Sequence, residues 1–380
     1  MNTPWKNFFV TAAATMLLLL APAGTASAQK KASVPAVRYM VNWIEFGPNW
    51  GSKSYGMNDL EQVVGTAALD AAGEAWAAFV YSGGQIVDLN SSISPELAAQ
   101  YYLMSAWDIN EVGQIVGWAV DATLLQNRIV CLTPGGDSEG NLDYVLEDIG
   151  PLARTDSISV GCINNNGDVV CLDQLFLRNA DGTRTTLNLD ALTGKDIWKG
   201  QAINDNGQIV GYYDSGAFAR GYLFDLGTGS FKDLALLSDP SKFSNATDIN
   251  SSGRVSGGGA ATRSSVNHAF RYDASTRTMK DIHTLGSSSL GRAINNNSTV
   301  AGHWVRSDGA HRAFAHTDKY GMLDLDKIVL DDGTWSSAPK VYPETMGMAL
   351  TGFEGFGAIA GGALYSGGHN RAFVLKPYLP

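Results

Sequence analysis

The stretch QAINDNGQIVG, residues 201 to 211, decides the fold of this chain because the sequence repeats it. Residues 106 to 117 read AWDINEVGQIVG. Asn204 stands at the first position of a type I turn, where it can accept hydrogen bonds from the backbone ahead of it, and Gly207 can adopt a positive φ at no steric cost. The stretch therefore predicts two antiparallel strands joined by a three-residue loop with a glycine bulge. A ligand or calcium site lined by such asparagines is the less favoured interpretation, since a turn explains both residue types and their spacing.

Seven copies of the turn follow the form apolar-Asn-x-x-Gly-x-apolar-apolar-Gly. They begin at Met57-Asn58, Ile109-Asn110, Ile163-Asn164, Ile203-Asn204, Ile249-Asn250, Ile294-Asn295 and, degenerately, Phe353-Glu354. Successive copies stand 40 to 59 residues apart. Repeats of this length that contain several short strands are typical of β-propeller blades.

A second pattern follows each hairpin: a strand with alternating apolar residues, a turn, and another strand that often ends in Asp-Leu or Asp-Ile. It is clearest in RGYLFDLGTGSFKDL (220–234), HAFRYDASTRTMKDI (268–282) and HRAFAHTDKYGMLDL (311–325). One repeat is therefore four antiparallel strands. The sequence predicts an all-β fold in which residues 29–380 form a single seven-bladed β-propeller. The alternative is a linear β-solenoid of the same repeats, which would need capping repeats at both ends.

The two ends of the repeat region complement each other. The seventh copy supplies three strands, whereas VRYMVNWIEFG (37–47) precedes the first turn and belongs to no complete repeat. We therefore predict that residues 37–47 form the outer strand of blade seven, beside the strands around Phe373, and close the ring. Closure would leave no long unpaired strand edge.

The first 28 residues have the organisation of a secretory signal peptide. Lys6 precedes the apolar run FFVTAAATMLLLLAPA, and ASA stands directly before Gln29. This run is short of the roughly 20 residues that a transmembrane helix needs, so no membrane insertion is expected after cleavage. We expect an exported chain, periplasmic or extracellular, whose mature amino terminus lies at or near Gln29.

The net charge of the chain narrows the range of partners. The formal net charge is −10, and loss of Lys6 with the signal peptide makes it −11. Such a surface repels phosphate backbones and anionic lipids, which argues against nucleic acid or membrane partners.

Three cysteines cannot supply a disulfide framework. The three-residue turn would pair Cys162 with Val170 and direct Cys171 to the other face of its blade, so a Cys162–Cys171 disulfide is not favoured.

The tripeptide His268-Ala269-Phe270, which follows the hairpin DINSSGRVSG, resembles the repeat of the HAF-repeat family of bacterial extracellular proteins. The resemblance covers essentially the whole chain after the signal peptide. It implies an extracellular repeat protein, and it brings no catalytic residue with it.

Two recurring positions point to the scaffold of the blades. A basic residue stands two places before an apolar strand position in five copies: Arg128, Arg220, His268, Arg312 and Arg371. We expect each to donate to a neighbouring carboxylate or carbonyl, with a ring of cations that grips an anionic glycan as the alternative. The apolar residues at that strand position should pack between blades: Phe79, Val130, Leu175, Tyr222, Phe270, Phe314 and Phe373.

Aromatic residues that follow the closing glycine of the hairpin are the candidate binding residues. Trp118, Tyr213 and Trp304 differ between blades, and aromatic faces can stack on sugars or anchor a protein partner. Packing between blades is the competing interpretation. Specificity is also expected in the loops that break the period, at 90–105, 133–146 and 331–347.

No catalytic motif is present: the sequence lacks G-x-S-x-G, H-E-x-x-H and a glycine-rich phosphate loop. Five of the six histidines lie between residues 268 and 316 but match no metal motif. No catalytic residue, metal or cofactor is therefore predicted. The predicted function is a binding or scaffolding module for an extracellular protein or glycan, and the alternative is a propeller-fold hydrolase or lyase that acts on extracellular polymer.

Overall fold

The repeats form the blades of a β-propeller in the computed structural model of the chain. The structure describes residues 37–47, 50–135, 143–152, 161–234, 243–260, 266–330, 335, 340–342, 356–364 and 370–378. Within these ranges the chain forms seven separate sheets: six antiparallel sheets of four strands, and one of five strands that includes a single parallel pair. The prediction of a seven-bladed propeller is confirmed. The predicted signal peptide, residues 1–28, and Gln29 lie outside the described residues.

The first six blades follow one another along the chain, and each consists of four consecutive strands. Blades one to three contain β2 (Ser52–Met57), β3 (Val63–Ala68), β4 (Trp76–Ser82) and β5 (Gln85–Asp88); β6 (Tyr101–Ile109), β7 (Ile115–Asp121), β8 (Gln126–Pro134) and β9 (Tyr144–Pro151); and β10 (Cys162–Ile163), β11 (Val169–Cys171), β12 (Gln174–Arg178) and β13 (Arg184–Asn188). Blades four to six contain β14 (Asp196–Ile203), β15 (Gln208–Asp214), β16 (Ala219–Asp225) and β17 (Ser230–Asp233); β18 (Ser244–Ile249), β19 (Arg254–Ala260), β20 (Asn267–Asp273) and β21 (Thr278–Asp281); and β22 (Ser288–Ile294), β23 (Val300–Val305), β24 (His311–Thr317) and β25 (Gly321–Asp324).

Blade seven is assembled from both ends of the chain, as predicted. Its strands are β27 (Lys340–Tyr342), β28 (Ile359–Leu364), β29 (Asn370–Tyr378) and β1 (Arg38–Ile44), with the short strand β26 (Val329–Leu330) added in parallel outside β1. β1 pairs antiparallel with β29 over its whole length, and Trp43 lies opposite Phe373. The pairing buries Tyr39 and Ile44 and places the Arg371 guanidinium against the Glu45 carboxylate, 2.7 Å away. β1 therefore closes the ring through both backbone pairing and side-chain contacts.

The asparagine turn has the predicted geometry. Asn204 Oδ1 accepts hydrogen bonds from the N–H groups of Asn206 (3.1 Å) and Gln208 (3.0 Å), and Gly207 has a φ of 72°. Glu61 and Ser298 take the glycine position in copies one and six at φ values of 57° and 64°. A left-handed backbone conformation costs free energy in a residue other than glycine. In both copies the side chain makes a contact that glycine could not make: Glu61 forms an ion pair with the Lys376 ammonium, and Ser298 Oγ accepts a hydrogen bond from Arg254.

The asparagines also join neighbouring blades. In the first five copies the side-chain amide nitrogen of the asparagine donates to the backbone carbonyl of the asparagine in the next copy, at 2.9 to 3.2 Å. The donors are Asn58, Asn110, Asn164, Asn204 and Asn250, and the last acceptor is Asn295. In Asn204 the oxygen thus accepts within the turn, while the nitrogen donates both to Gln208 Oε1, at 2.9 Å, and to the carbonyl of Asn250 in the next blade. The turn interpretation of these residues is confirmed, and the first strand of each blade lies next to the central axis.

At the glycine that ends each turn motif, neighbouring atoms occupy the space that a side chain would need. A Cβ on Gly302 would lie 2.0 Å from the carbonyl oxygen of Leu290 and 2.7 Å from the Phe314 ring. A β-bulge between Gly291 and Ala293 lies beside this carbonyl in the inner strand. In three other blades the corresponding carbonyl would approach the added Cβ to 1.9–2.2 Å, at Gly65, Gly211 and Gly257.

The core lies between blades. All seven apolar residues predicted to pack there are at most 1 % exposed. Phe314 of blade six, for instance, shares a cluster with Ala269 of blade five, and Phe270 of blade five shares one with Val210 of blade four. Each blade is thus held by the apolar faces of both its neighbours.

The cysteines follow the predicted register. Cys162 pairs with Val170, and Cys171 belongs to a different apolar cluster from Cys162. All three cysteines of the chain are free and buried. The prediction that Cys162 and Cys171 form no disulfide agrees with this structure.

The ring has two faces with different contents. The asparagine turns and the turns between third and fourth strands lie on one face, which we call the turn face; the loops between second and third strands and the connections between blades lie on the other, the loop face. The two short helices, α1 (Pro95–Gln100) and α2 (Leu189–Thr193), are on the loop face, and 3₁₀ turns occupy Leu89–Ser92 and Leu325–Lys327. The period-breaking segment 90–105 therefore contributes to the loop face, whereas the described parts of 133–146, at the end of β8 and the start of β9, lie at the turn face. Most of 331–347 lies outside the described residues.

Candidate functional site

The recurring cations belong to the blades themselves. Each is paired with a carboxylate in or directly after the last strand of its own blade: Arg128 with Asp148, Arg220 with Asp233, His268 with Asp281, Arg312 with Asp326, and Arg371 with Glu45, at 2.6 to 2.9 Å. The Asp-Leu and Asp-Ile endings of the repeats supply three of these acids. The scaffold interpretation is confirmed. The alternative, a ring of cations that grips an anionic glycan, required unpaired charges, and all five side chains are already paired.

Each residue of the HAF tripeptide contacts a different neighbour. His268 Nδ1 lies 2.8 Å from the Asp281 carboxylate in the last strand of the blade. The Ala269 N–H donates to Ser289 Oγ of blade six, at 2.9 Å, and Phe270 lies against Gly257. The motif thus joins a strand to its own blade and to the next one.

Two of the three predicted binding residues are buried between blades. Tyr213 and Trp304 are each 7 % exposed. The Tyr213 hydroxyl donates to Asp233 at 3.0 Å, and burial together with this carboxylate raises the pKa of the phenol. Trp118 is half-buried and packs against the apolar cluster between blades two and three. The structure places the three side chains in three different clusters and does not bring them together.

Strand alternation explains the difference. Trp118 is the first residue after its closing glycine, whereas Tyr213 and Trp304 are the second, and successive side chains of a strand point to opposite faces. The residues at the second position face the preceding blade: Tyr213 shares a cluster with Val170 of blade three. The counterpart of Trp118 in blade four is Tyr212. Counting from the glycine in the sequence would have separated these two sets.

An aromatic surface that the sequence did not predict lies on the loop face of blade four. Trp198 occupies a β-bulge between Ile197 and Lys199, is 42 % exposed, and meets the Tyr212 ring edge to face at a centroid distance of 6.3 Å. Bulges redirect a side chain away from the regular alternation of the strand. The alternation of β14 therefore could not predict the direction of Trp198.

Two phenylalanines extend this surface. Phe218, in the loop between β15 and β16, is 45 % exposed, and Phe243, directly before β18, is 36 % exposed. The two segments are joined, because the Gly221 N–H donates to Ser244 Oγ at 2.9 Å. We call Trp198, Tyr212, Phe218 and Phe243 the aromatic patch. It offers stacking and apolar contact to a ligand and lies near a polar pair, Gln201 and Asn245, whose side chains are 2.6 Å apart.

The histidines of blades five and six form pairs instead of a metal centre. The His268 and His283 rings stack at 3.9 Å, and His283 Nδ1 lies 2.7 Å from Ser289 Oγ. Burial and the neighbouring His268 lower the pKa of His283. In the described ranges, no group of three or more His, Cys, Asp and Glu side chains could hold a metal ion.

Comparison with known proteins bears on the fold. The β-propeller domain of the Trilobed protease from Pyrococcus furiosus, which has an open velcro topology, is 9 % identical with a TM-score of 0.52, over 88 % of this chain and 96 % of that one. A puromycin-hydrolyzing peptidase from Mycobacterium tuberculosis is 11 % identical with a TM-score of 0.47, over 84 % of this chain and 52 % of that one, so the chain spans about half of its length. TolB from Acinetobacter baumannii is 12 % identical with a TM-score of 0.38, over 89 % and 80 % of the two chains.

Sequence comparison adds no relative: no protein-family model matches the chain, and neither does any curated protein. At 9 % identity the Pyrococcus domain shows the fold alone. Together with the seven sheets, this likeness identifies the chain as a β-propeller.

Proposed function

We propose that the chain is an exported binding module, of the kind found in HAF-repeat proteins, that holds an extracellular or cell-envelope protein or glycan against its loop face. The observation that carries the proposal is the aromatic patch. Three of its side chains are more than a third exposed; Trp198, Tyr212 and Phe218 belong to blade four, and Phe243 stands directly before the first strand of blade five. Exposed aromatic groups collected in this way are typical of interaction surfaces in soluble proteins.

The energetics favour the aromatic patch over the repeated positions. An aromatic anchor can contribute about 1 kcal/mol or more to an interface, provided that its face is available. The recurring arginines are already paired within their blades, and the asparagines are used by the turns. Trp118 keeps part of its surface for a partner, whereas Tyr213 and Trp304 can offer only an edge, and the part of all three in binding stays a prediction.

The proposed location rests on the predicted signal peptide. In the part of the chain that the structure describes, no helix is long and apolar enough to cross a membrane. Mass spectrometry of the mature protein should find its amino terminus at or within a few residues of Gln29. A full-length chain recovered from the cytoplasm would contradict export.

A pulldown from cell-envelope and extracellular fractions with the chain that starts at Gln29 tests the binding proposal. Trp198→Ala and Phe218→Ala should each reduce the captured protein or glycan several-fold while thermal unfolding stays unchanged. Leu124→Ala, which shortens an exposed apolar residue on the loop face of blade two, is the matched control. Equal capture by all three variants would show that the aromatic patch is not the binding surface.

A further inference from the structure

Two amide side chains of the innermost strands lie beside the aromatic patch. Gln201 occupies a β-bulge of β14, and its amide nitrogen donates to Asn245 Oδ1 of β18 at 2.6 Å. Tyr212 of the patch lies opposite Gly221 in register, and a Cβ on Gly221 would stand 3.3 Å from the carbonyl carbon of Asn245. The amide pair therefore joins blades four and five next to the aromatic patch.

The amide pair keeps one donor and one acceptor for a ligand. The contact between Gln201 and Asn245 uses one N–H group and one oxygen. Within the described residues, Gln201 Oε1 and Asn245 Nδ2 make no further hydrogen bond, and both side chains are partly exposed. Two neighbouring hydroxyl groups of a sugar can donate to the one and accept from the other. The pair thus has the hydrogen-bonding pattern that a sugar ring needs.

Lys199 brings a positive charge to the same place. It follows Trp198 in β14 and lies opposite Tyr212 in register. Its ammonium makes no hydrogen bond or ion pair with any residue that the structure describes. Burial lowers the pKa of Lys199, and the positive charge of Arg292, in the inner strand of blade six, also lowers it. An anionic group of a ligand would offset both effects.

The carboxylates of the described inner strands lie away from this ammonium. Asp108 and Asp248 stand directly before the asparagine turns, at the other end of their strands, and Asp196 is exposed at the start of β14. The net negative charge of the chain does not oppose an anion here, because salt screens exposed charges beyond about 8 Å at physiological ionic strength. The charge that an anion meets beside Lys199 is therefore the local one.

We propose that the loop face binds a glycan that contains uronic acid units, with one sugar ring stacked on Trp198 and its carboxylate paired with the Lys199 ammonium. Neighbouring hydroxyl groups contact Gln201 and Asn245. This inference rests on the proposed function, because it names the ligand class of the same surface. A glycan is favoured over a protein because each unit of such a polymer presents an apolar ring face, hydroxyl pairs and a carboxylate together.

Calorimetric titration of the chain that starts at Gln29, at physiological ionic strength, tests the ligand class. The probes are tetrasaccharides of galacturonic, glucuronic and mannuronic acid, each compared with its carboxyl-reduced form, which keeps the ring and its hydroxyl groups but has no charge. At least one acid should bind, and reduction should weaken it about tenfold or more, because a charge-assisted contact is lost. Binding of none of the three acids, or equal binding of an acid and its reduced form, would overturn the proposal.

Variants of Lys199 test the charge. Lys199→Met should weaken the acidic tetrasaccharide about tenfold and leave the reduced form unchanged, whereas Lys199→Arg should keep the preference for the acid. Lys232→Met, at an exposed position of β17 in the same blade, is the matched control and should change nothing. Equal weakening by Lys199→Met and Lys232→Met would mean that only net charge matters. Wild-type affinity of Lys199→Met for the acid would remove Lys199 from the site.

The amide pair has its own test. Gln201→Leu should weaken the acidic and the reduced tetrasaccharides by the same factor, because both carry the hydroxyl groups that the amides contact. Unchanged binding of both forms would show that the amide pair takes no part.

Two outcomes separate this inference from the proposed function. If no acidic glycan binds but Trp198→Ala and Phe218→Ala still reduce capture from the envelope fractions, the aromatic patch is a binding surface and the ligand class is wrong. If an acid binds through Lys199 but Trp198→Ala and Phe218→Ala change neither the titration nor the pulldown, the proposed role of the aromatic patch fails, and the stacking contact fails with it.

Discussion

The two faces of the ring are built on different principles. On the turn face, one turn recurs in six copies, and in the first five the asparagine side chain also donates to the next blade. On the loop face, α1 stands before blade two, α2 stands before blade four, and the aromatic patch draws its residues from blade four and the start of blade five. The repeated residues therefore specify the ring, whereas the features that distinguish one blade from another lie in residues outside the repeat pattern.

The contrast between the two faces should be measurable as a difference in the free energy of unfolding. Substitutions at repeated positions should lower the free energy of unfolding, and substitutions in the aromatic patch should leave it nearly unchanged.

Deletion of residues 37–47 should have the largest effect. It removes β1, exposes the edge of β29, and leaves Arg371 without Glu45. The expected result is loss of the cooperative thermal transition and aggregation on size-exclusion chromatography, since an open strand edge can pair with another chain. A deletion variant that stays monomeric and melts at the wild-type temperature would refute closure by β1.

Phe314→Ala should cost about 3–5 kcal/mol in the free energy of unfolding, because the ring is fully buried between blades. Phe218→Ala, on the loop face, should change it by less than about 0.5 kcal/mol, as is usual for exposed positions. Urea denaturation of both variants measures the contrast. Comparable losses would show that the loop face carries the fold as well.

The pH dependence should differ in sign between two sets of carboxyl groups. Burial raises the pKa of Asp108 and of Asp248, each next to a turn, to about 7. The folded state therefore keeps protons that the unfolded chain loses near pH 4, so these groups stabilise the fold in acid, and that stability declines between about pH 4 and 7. Hydrogen bonds from Thr123 lower the pKa of Asp121, on the loop face, to about 2, so its contribution is present above pH 4 and disappears as the pH falls toward 2.

Melting temperatures from pH 4 to 8 test the effect of Asp108 and Asp248. The double variant Asp108→Asn/Asp248→Asn should lose most of the decline between pH 4 and 7, whereas Asp121→Asn should retain it. An identical profile in the double variant would show that these carboxyl groups ionise normally in the fold.

Gly302→Ala should cost about 1–3 kcal/mol, because the new methyl group meets the Leu290 carbonyl and the Phe314 ring. Gly227→Ala is the matched control, since its Cβ would have no neighbour closer than 3.5 Å. Chemical denaturation should separate the two variants. A Gly302→Ala protein as stable as the control would mean that the bulge can relax.

Ser298→Gly should have the smallest effect. Glycine removes the strain of a φ of 64°, but the substitution also removes the Ser298 Oγ that accepts from Arg254. The two changes oppose each other, so the free energy of unfolding should move by less than about 1 kcal/mol in either direction. A loss well beyond this range would show that the Arg254 contact matters more than the turn conformation.

The sequence was sufficient for the ring and insufficient for its surfaces. The asparagine and glycine spacing predicted the turn, the Cys162 register and the role of β1, because each follows from local backbone geometry. Tyr213 was preferred over Tyr212 because strand alternation was not counted from Gly211. Trp198 could not be placed by any count, since a bulge breaks the alternation of its strand. Phe218 and Phe243 belong to neighbouring blades, whose segments meet only in the folded ring.

The register of the closing strand also determines how the ring responds to force. Arg38 lies opposite Tyr378, so the two ends of the paired strands leave the ring side by side at one point of its edge. A load that pulls these ends apart acts on one backbone pair at a time, from Arg38 toward Ile44, and does not stretch all seven pairs together. The propeller should therefore open by peeling at low force from its ends, although heat or denaturant must disrupt the whole of blade seven at once.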